Sequence, residues 1–170
     1  IDSPGNSSNR LNFPYGLVLH PTSGTLYIAD FYNHRVMSYA PGSLSGTLVF
    51  GGRGAGTSNE QLYSPIGLHM DLLTNNLVVA NYGAHNIVQF TLGASNWTIA
   101  AGNANGSAGV SSVDLNRPME ATFDSMNNMY VADRDNNRIQ FYQIGQLNGT
   151  TIAGMTGVND STATKLSWPR

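Results

Sequence analysis

The chain has 170 residues, a formal net charge of −2 and only 11% charged residues, against about 25% in an average soluble protein. One Lys, Lys165, and seven scattered Arg leave no basic patch for a polyanion, so nucleic acid is not expected as a partner. No apolar run approaches the roughly 20 residues a membrane helix needs, no basic-then-apolar leader is present, and without Cys there is neither a disulfide framework nor a thiol nucleophile.

In chain order, an anchor Leu-x-x-Pro recurs at Leu11…Pro14, Leu62…Pro65, Leu115…Pro118 and Leu166…Pro169, at steps of 51, 53 and 51 residues. A fixed period of this length marks a repeat architecture. Each anchor opens four apolar runs of strand length, bounded by Gly, Pro, Asn and Ser. The first repeat predicts strands at 16–20, 25–30, 35–40 and 47–51. The second predicts 67–71, 77–81, 86–92 and 97–101, and the third 120–124, 128–133, 138–144 and 150–154. No stretch of ten residues has an apolar helical face. The organisation read from the period is a linker at 1–10, blades at 11–61, 62–114 and 115–165, and the start of another at 166–170. A chain that opens on Ile and breaks off inside a fourth repeat is expected to be a piece of a longer one.

A four-stranded antiparallel sheet of this size cannot bury both faces alone, so the expected fold class is all-β, with sheets stacked around an axis as β-propeller blades. The strand after each anchor would line the channel and the last strand would lie outermost. Three blades leave two apolar faces open, which predicts further blades, most simply a ring of six.

The boxes Tyr27-Ile28-Ala29-Asp30 with Asn33-His34-Arg35, and Val131-Ala132-Asp133 with Asn136-Asn137-Arg138, resemble the NHL repeat. The resemblance covers 11–165 and includes Phe50-Gly51-Gly52, Ala100-Ala101-Gly102 and Ile152-Ala153-Gly154 before the linkers. It implies propeller blades but does not select a function, because NHL propellers include binding scaffolds, RNA-binding modules, sensor ectodomains and a peptide-amidating lyase.

In the middle repeat Asp30 and Arg35 become Asn81 and Asn86, so both charges vanish together. That is what a structural ion pair predicts, and Asp30–Arg35 and Asp133–Arg138 are read as ties within blades. Tyr27 and Tyr130, and Tyr39, Phe90 and Phe141, are read as recurring in register to pack blade against blade.

Catalytic constellations are sparse. His34 and His85 fill the repeat's own slot, leaving only His20 and His69 as candidates for a zinc site that needs three converging ligands. Asp133-Arg134-Asp135-Asn136-Asn137 spaces oxygens like a calcium loop but lacks the central Gly and the distant Glu. Gly51–Gly56 is a linker, not a phosphate cradle, since no helix follows. Glu120 stands where the other repeats have Gly16 and Gly67, and with Arg117 it is the candidate binding point at the channel mouth, otherwise a solvated rim pair. Sequons at Asn6, Asn96, Asn105, Asn148 and Asn159 all lie in linkers or beside the outermost strands, which predicts N-linked glycan and an extracellular chain. The expected function is a non-enzymatic extracellular scaffold without cofactor or metal. It would act through protein and glycan contact and self-assembly, fibrous assembly included, with no nucleic-acid or membrane partner. The rival is a metal-dependent lyase or hydrolase in the channel.

Overall fold

The computed structural model describes residues 4–157 and 166–170. Within them the chain forms three four-stranded antiparallel sheets, each a meander in sequence order. The first holds β1 (Pro14–Leu19), β2 (Leu26–Asp30), β3 (Arg35–Tyr39) and β4 (Thr47–Gly51). The second holds β5 (Pro65–Asp71), β6 (Asn76–Asn81), β7 (Asn86–Thr91) and β8 (Thr98–Gly102). The third holds β9 (Pro118–Phe123), β10 (Met129–Asp133), β11 (Arg138–Tyr142) and β12 (Thr150–Gly154).

The inner strands begin on the anchor Pro, two residues before the sequence reading placed them. Proline's missing N–H is tolerated at a first strand position, and each inner strand carries a register shift just beyond it, between Pro14 and Leu17, Pro65 and Leu68, and Pro118 and Ala121. Single 3₁₀ turns at Phe31–Asn33, Tyr82–Ala84 and Arg134–Asn136 join the second and third strands, which the apolar pattern does not reveal. Each turn ends on a residue at positive φ, His34 (52°), His85 (53°) and Asn137 (55°).

The sheets stack face to face, and the two cores lie between them. One joins Tyr27, Ala29, Val36 and Phe50 of the first blade to Leu68, Met70, Leu77, Val79, Val88 and Phe90 of the second. The other joins Val78, Ala80, Ile87 and Ala101 of the second to Ala121, Met129, Val131 and Tyr142 of the third. Phe50 stacks on Phe90 with centroids 4.3 Å apart. This corrects one reading of the sequence: Tyr142, not Phe141, stands in register with Tyr39 and Phe90. Counting from the box sets the register, and Phe141 lies on the opposite face, edge-on to Tyr130 at 5.2 Å.

Near the axis the inner strands approach so closely that side chains are excluded. A Cβ on Gly16 would overlap the carbonyl oxygen of Ile66, and one on Gly67 would lie 2.5 Å from that of Met119.

Candidate functional site

Three arrangements bear on function: the buried boxes, the latches between blades, and the channel mouth. In the first box Asp30 is fully buried, and one carboxylate oxygen accepts from the Asn12 amide at 2.6 Å. The other accepts from Asn33 Nδ2 at 2.8 Å and Arg35 Nε at 2.7 Å. Asp133 repeats this with the Asn116 amide, Asn136 Nδ2 and Arg138 Nε. In the middle blade Asn81 accepts from the Tyr63 amide at 2.6 Å and donates to Asn86 Oδ1 at 3.1 Å, so the geometry persists without charge.

The arginines have a second role that the sequence did not disclose. Arg35 also donates to the carbonyls of Asn6, Ser7 and Arg10, and Arg138 to those of Val110, Ser111 and Asp114. Each guanidinium thus binds the linker leading into its own blade, using several of its five fixed donors at once. Asn86 is too short for this and donates to Asn103 O instead, at 2.8 Å. The only available signal was Arg paired with a Gly- and Ser-rich linker, which is too common to read.

The repeat's His slot is an acceptor. His34 Nδ1 accepts from the Ser64 amide and His85 Nδ1 from the Arg117 amide, both at 3.1 Å. Asn137 Oδ1 accepts from the Trp168 amide at the same distance. In every case the donor precedes the anchor Pro of the next blade and sits at positive φ, as do Phe13, Ser64, Arg117 and Trp168. Burial pushes His34 below the ordinary imidazole value, and burial with the Arg117 charge does the same for His85. Low affinity for protons suits a ring nitrogen that must keep its lone pair for an amide.

At the channel mouth the structure separates the two candidate residues. Arg117 pairs with Asp135 at 3.2 Å and lies over the Tyr82 ring, 5.7 Å from its centroid. Among the described residues it forms no rim pair with Glu120, because the strand's first residues carry the two side chains to different neighbours. Glu120 folds back over Gly67, where a Cβ would lie 2.8 Å from Oε1, and among the described residues it accepts only from its own neighbour's amide, Ala121 N, at 3.3 Å. Burial raises its carboxyl above the usual carboxylate range. Tyr15, Ile66, Met119, Glu120 and Arg170 surround a shallow cavity of about 210 Å³ there.

Of the other chemistry considered, His20 Nδ1 accepts from Ser23 N within its own turn, and His69 packs against Phe123. Asp133 and Asp135 are both engaged by arginines. Among the described residues no three His, Cys, Asp or Glu side chains are grouped to hold a metal ion. Asn6, Asn96, Asn105 and Asn148 are exposed, whereas Asn159 lies outside the described residues.

Residues 11–37 match the family model of the NHL repeat. No curated protein matches the sequence. Among solved structures, a protein of unknown function from Bacteroides thetaiotaomicron aligns with a TM-score of 0.70 at 16% identity, over 92% of this chain and 40% of that one. A gluconolactonase from Xanthomonas campestris aligns with a TM-score of 0.67 at 13% identity, over 89% and 50%. A chain of a nidogen/laminin complex aligns with a TM-score of 0.56 at 19% identity, over 83% and 47%. At these identities the likeness concerns the fold, and the chain spans half or less of each of these structures.

Proposed function

Taking the chain as a run of NHL-type propeller blades, we propose that it is a non-enzymatic extracellular scaffold. It works by protein and glycan contact and by assembly with further blades. The observation that carries this reading is the bare face of the first blade. Leu68 and Met70 of the second blade are each 7% exposed against their neighbour, but their counterparts Leu17 and Leu19 are 61% and 59% exposed. Covering a Leu fully is worth about 1.5–3 kcal/mol, so a covering blade gains several kcal/mol. The Phe13 amide, at φ 54°, has no acceptor among the described residues, and it is the amide that a preceding blade's His or Asn would latch.

The covering blades come from identical chains or from another part of the same chain, with a ring of six as the simplest closure. A head-to-tail contact of this kind closes a ring or grows a fibre, according to the rotation per blade. Trp168 already occupies the latch of the third blade, with its ring 5.2 Å from the Arg134 guanidinium. A second copy docking its first blade there must displace residues 166–170. The exposure of Asn6, Asn96, Asn105 and Asn148 supports the reading of an extracellular, N-glycosylated chain, in which sugars would solubilise a charge-poor surface. Light scattering of the purified chain tests the assembly, and a stable compact monomer with no added blades would overturn it. Peptide mapping tests the glycans.

The rival, a metal-dependent lyase or hydrolase with its site in the channel, draws on the fold shared with the gluconolactonase. Metal analysis of protein purified without chelator decides it, and a stoichiometric metal would favour the enzyme.

A further inference from the structure

Between the second and third blades the repeat departs from its own packing rule. At the first junction Phe50 stacks on Phe90, and Trp97 covers them while donating to Gln61 O at 2.8 Å. At the second junction Ala101 stands in the place of Phe50 and Gly149 in the place of Trp97. The backbone hydrogen bonds fix this correspondence: Trp97 N donates to Asn59 O at 2.9 Å and Gly149 N to Ser112 O at 2.7 Å. Beside this ring-poor junction, lined from both blades by residues that include Ile99, Ala100, Phe123 and Tyr142, lies a cleft of about 360 Å³, which falls within the range of about 300–1,000 Å³ of small-molecule sites. It lies at the end of the blades opposite the latches. Tyr142, 1% exposed in its wall, has a hydroxyl with no hydrogen-bond partner among the described residues, whereas the equivalent Tyr39 donates to Ser8 O.

We propose that this cleft binds a neutral saccharide. Its lining includes Gln89, Gln143 and Gln146, whose carboxamides make no side-chain hydrogen bond within the described residues. Each offers two donors and an acceptor, which is the pattern that vicinal hydroxyls satisfy. The one charged residue of the lining, Asp71, is already engaged at both oxygens, by Leu73 N at 2.9 Å and Thr74 Oγ1 at 2.5 Å. An anion meets no cation in this lining, and the Asp71 oxygens already accept from their own turn. A wholly apolar ligand would leave the glutamines dry and unpaired, at about 1–3 kcal/mol for each buried polar group. Phe123 and Ile99 supply an apolar surface for the C–H face of a pyranose ring. The proposal is independent of assembly, because both walls belong to one chain.

The test is titration of the whole chain with maltose, cellobiose and lactose. It is followed by NMR of the glutamine side-chain amides, with N-acetylglycinamide as an uncharged peptide probe. At least one disaccharide is expected to shift the Gln89, Gln143 and Gln146 resonances saturably. Ala100→Phe, which puts a ring into the lining of the cleft, should abolish the shifts. Gln89→Ala with Gln143→Ala, which leaves the core untouched, should weaken binding about tenfold or more. The proposal is overturned if no disaccharide shifts these amides, if the shifts survive Ala100→Phe in a folded protein, or if only the peptide probe binds.

Discussion

The buried box of the third blade allows a test of why the middle blade lost two charges together. Arg138 is 3% exposed and meets four acceptors within 2.9 Å, namely Asp133 and the carbonyls of Val110, Ser111 and Asp114. Arg138→Asn leaves the Asp133 carboxylate buried without its cation, at a cost of about 3–5 kcal/mol. At about 2–4 °C per kcal/mol for a chain of this size, the melting temperature should fall by roughly 6–20 °C. Adding Asp133→Asn removes the stranded charge and recreates the neutral Asn81–Asn86 contact, but it loses the bond from Asn136 Nδ2, at a position the middle blade fills with Ala84. The linker bonds are lost in both variants, so the difference is the uncompensated charge, about 3–5 kcal/mol, against a neutral bond of about 1 kcal/mol. The double variant should therefore be about 2 kcal/mol or more above Arg138→Asn alone in stability. Burial already raises the Asp133 carboxyl, against the lowering by the Asn116 amide, Asn136 and Arg138. In the single variant it takes up a proton more readily, so that variant's deficit should shrink as the pH falls. Urea unfolding at neutral and acid pH measures all three quantities. A double variant no more stable than the single one would refute the ion-pair account of the box.

The latches predict that His34→Ala costs about 1 kcal/mol through the unaccepted Ser64 amide, while His34→Asn, copying Asn137, costs less. Equal losses in urea unfolding would remove the acceptor role. Because burial lowers His34 and His85 in the folded chain, the unfolded chain binds more protons between the folded and unfolded values. Their contribution is full above the ordinary imidazole value and lost as the pH falls toward the folded one, which a stability profile of the His34→Asn variant against the parent would show. Glu120 has the opposite sign: its folded carboxyl is raised, so its charge costs stability as the pH rises through the folded value. Glu120→Gln should stabilise at neutral pH and do nothing at acid pH, and a uniform effect would show that the charge is irrelevant. Gly67→Ala, with its Cβ 2.5 Å from Met119 O, should cost about 1–3 kcal/mol because backbone must move, and unchanged unfolding would contradict the close approach at the axis.

The period of the anchors, the four apolar runs per repeat and the paired loss at Asn81 and Asn86 were legible in the sequence because each depends on local pattern repeated in register. Those features carry the blade count, the strand order and the box contacts. Strand ends were less legible, since the anchor Pro, which has no N–H to give a ladder, is accommodated inside β1, β5 and β9 because each is the edge strand of its sheet. The register of Tyr142 was missed because Phe141 beside it is an equally good aromatic, and alternation places one of them on each face. Glu120 was visible as a break in the repeat, but its burial over Gly67 and its separation from Arg117 depend on how two blades approach, which no single repeat encodes. The latches were hidden for the same reason: His34 and Ser64 are 30 residues apart and meet only when blades stack. Sequence by itself determined what each blade is, because strands, turns and boxes are set by neighbours along the chain. The tertiary structure alone decided what happens between blades, where packing set which histidine nitrogen holds which amide, which face lies bare, and where the second and third blades leave a cleft.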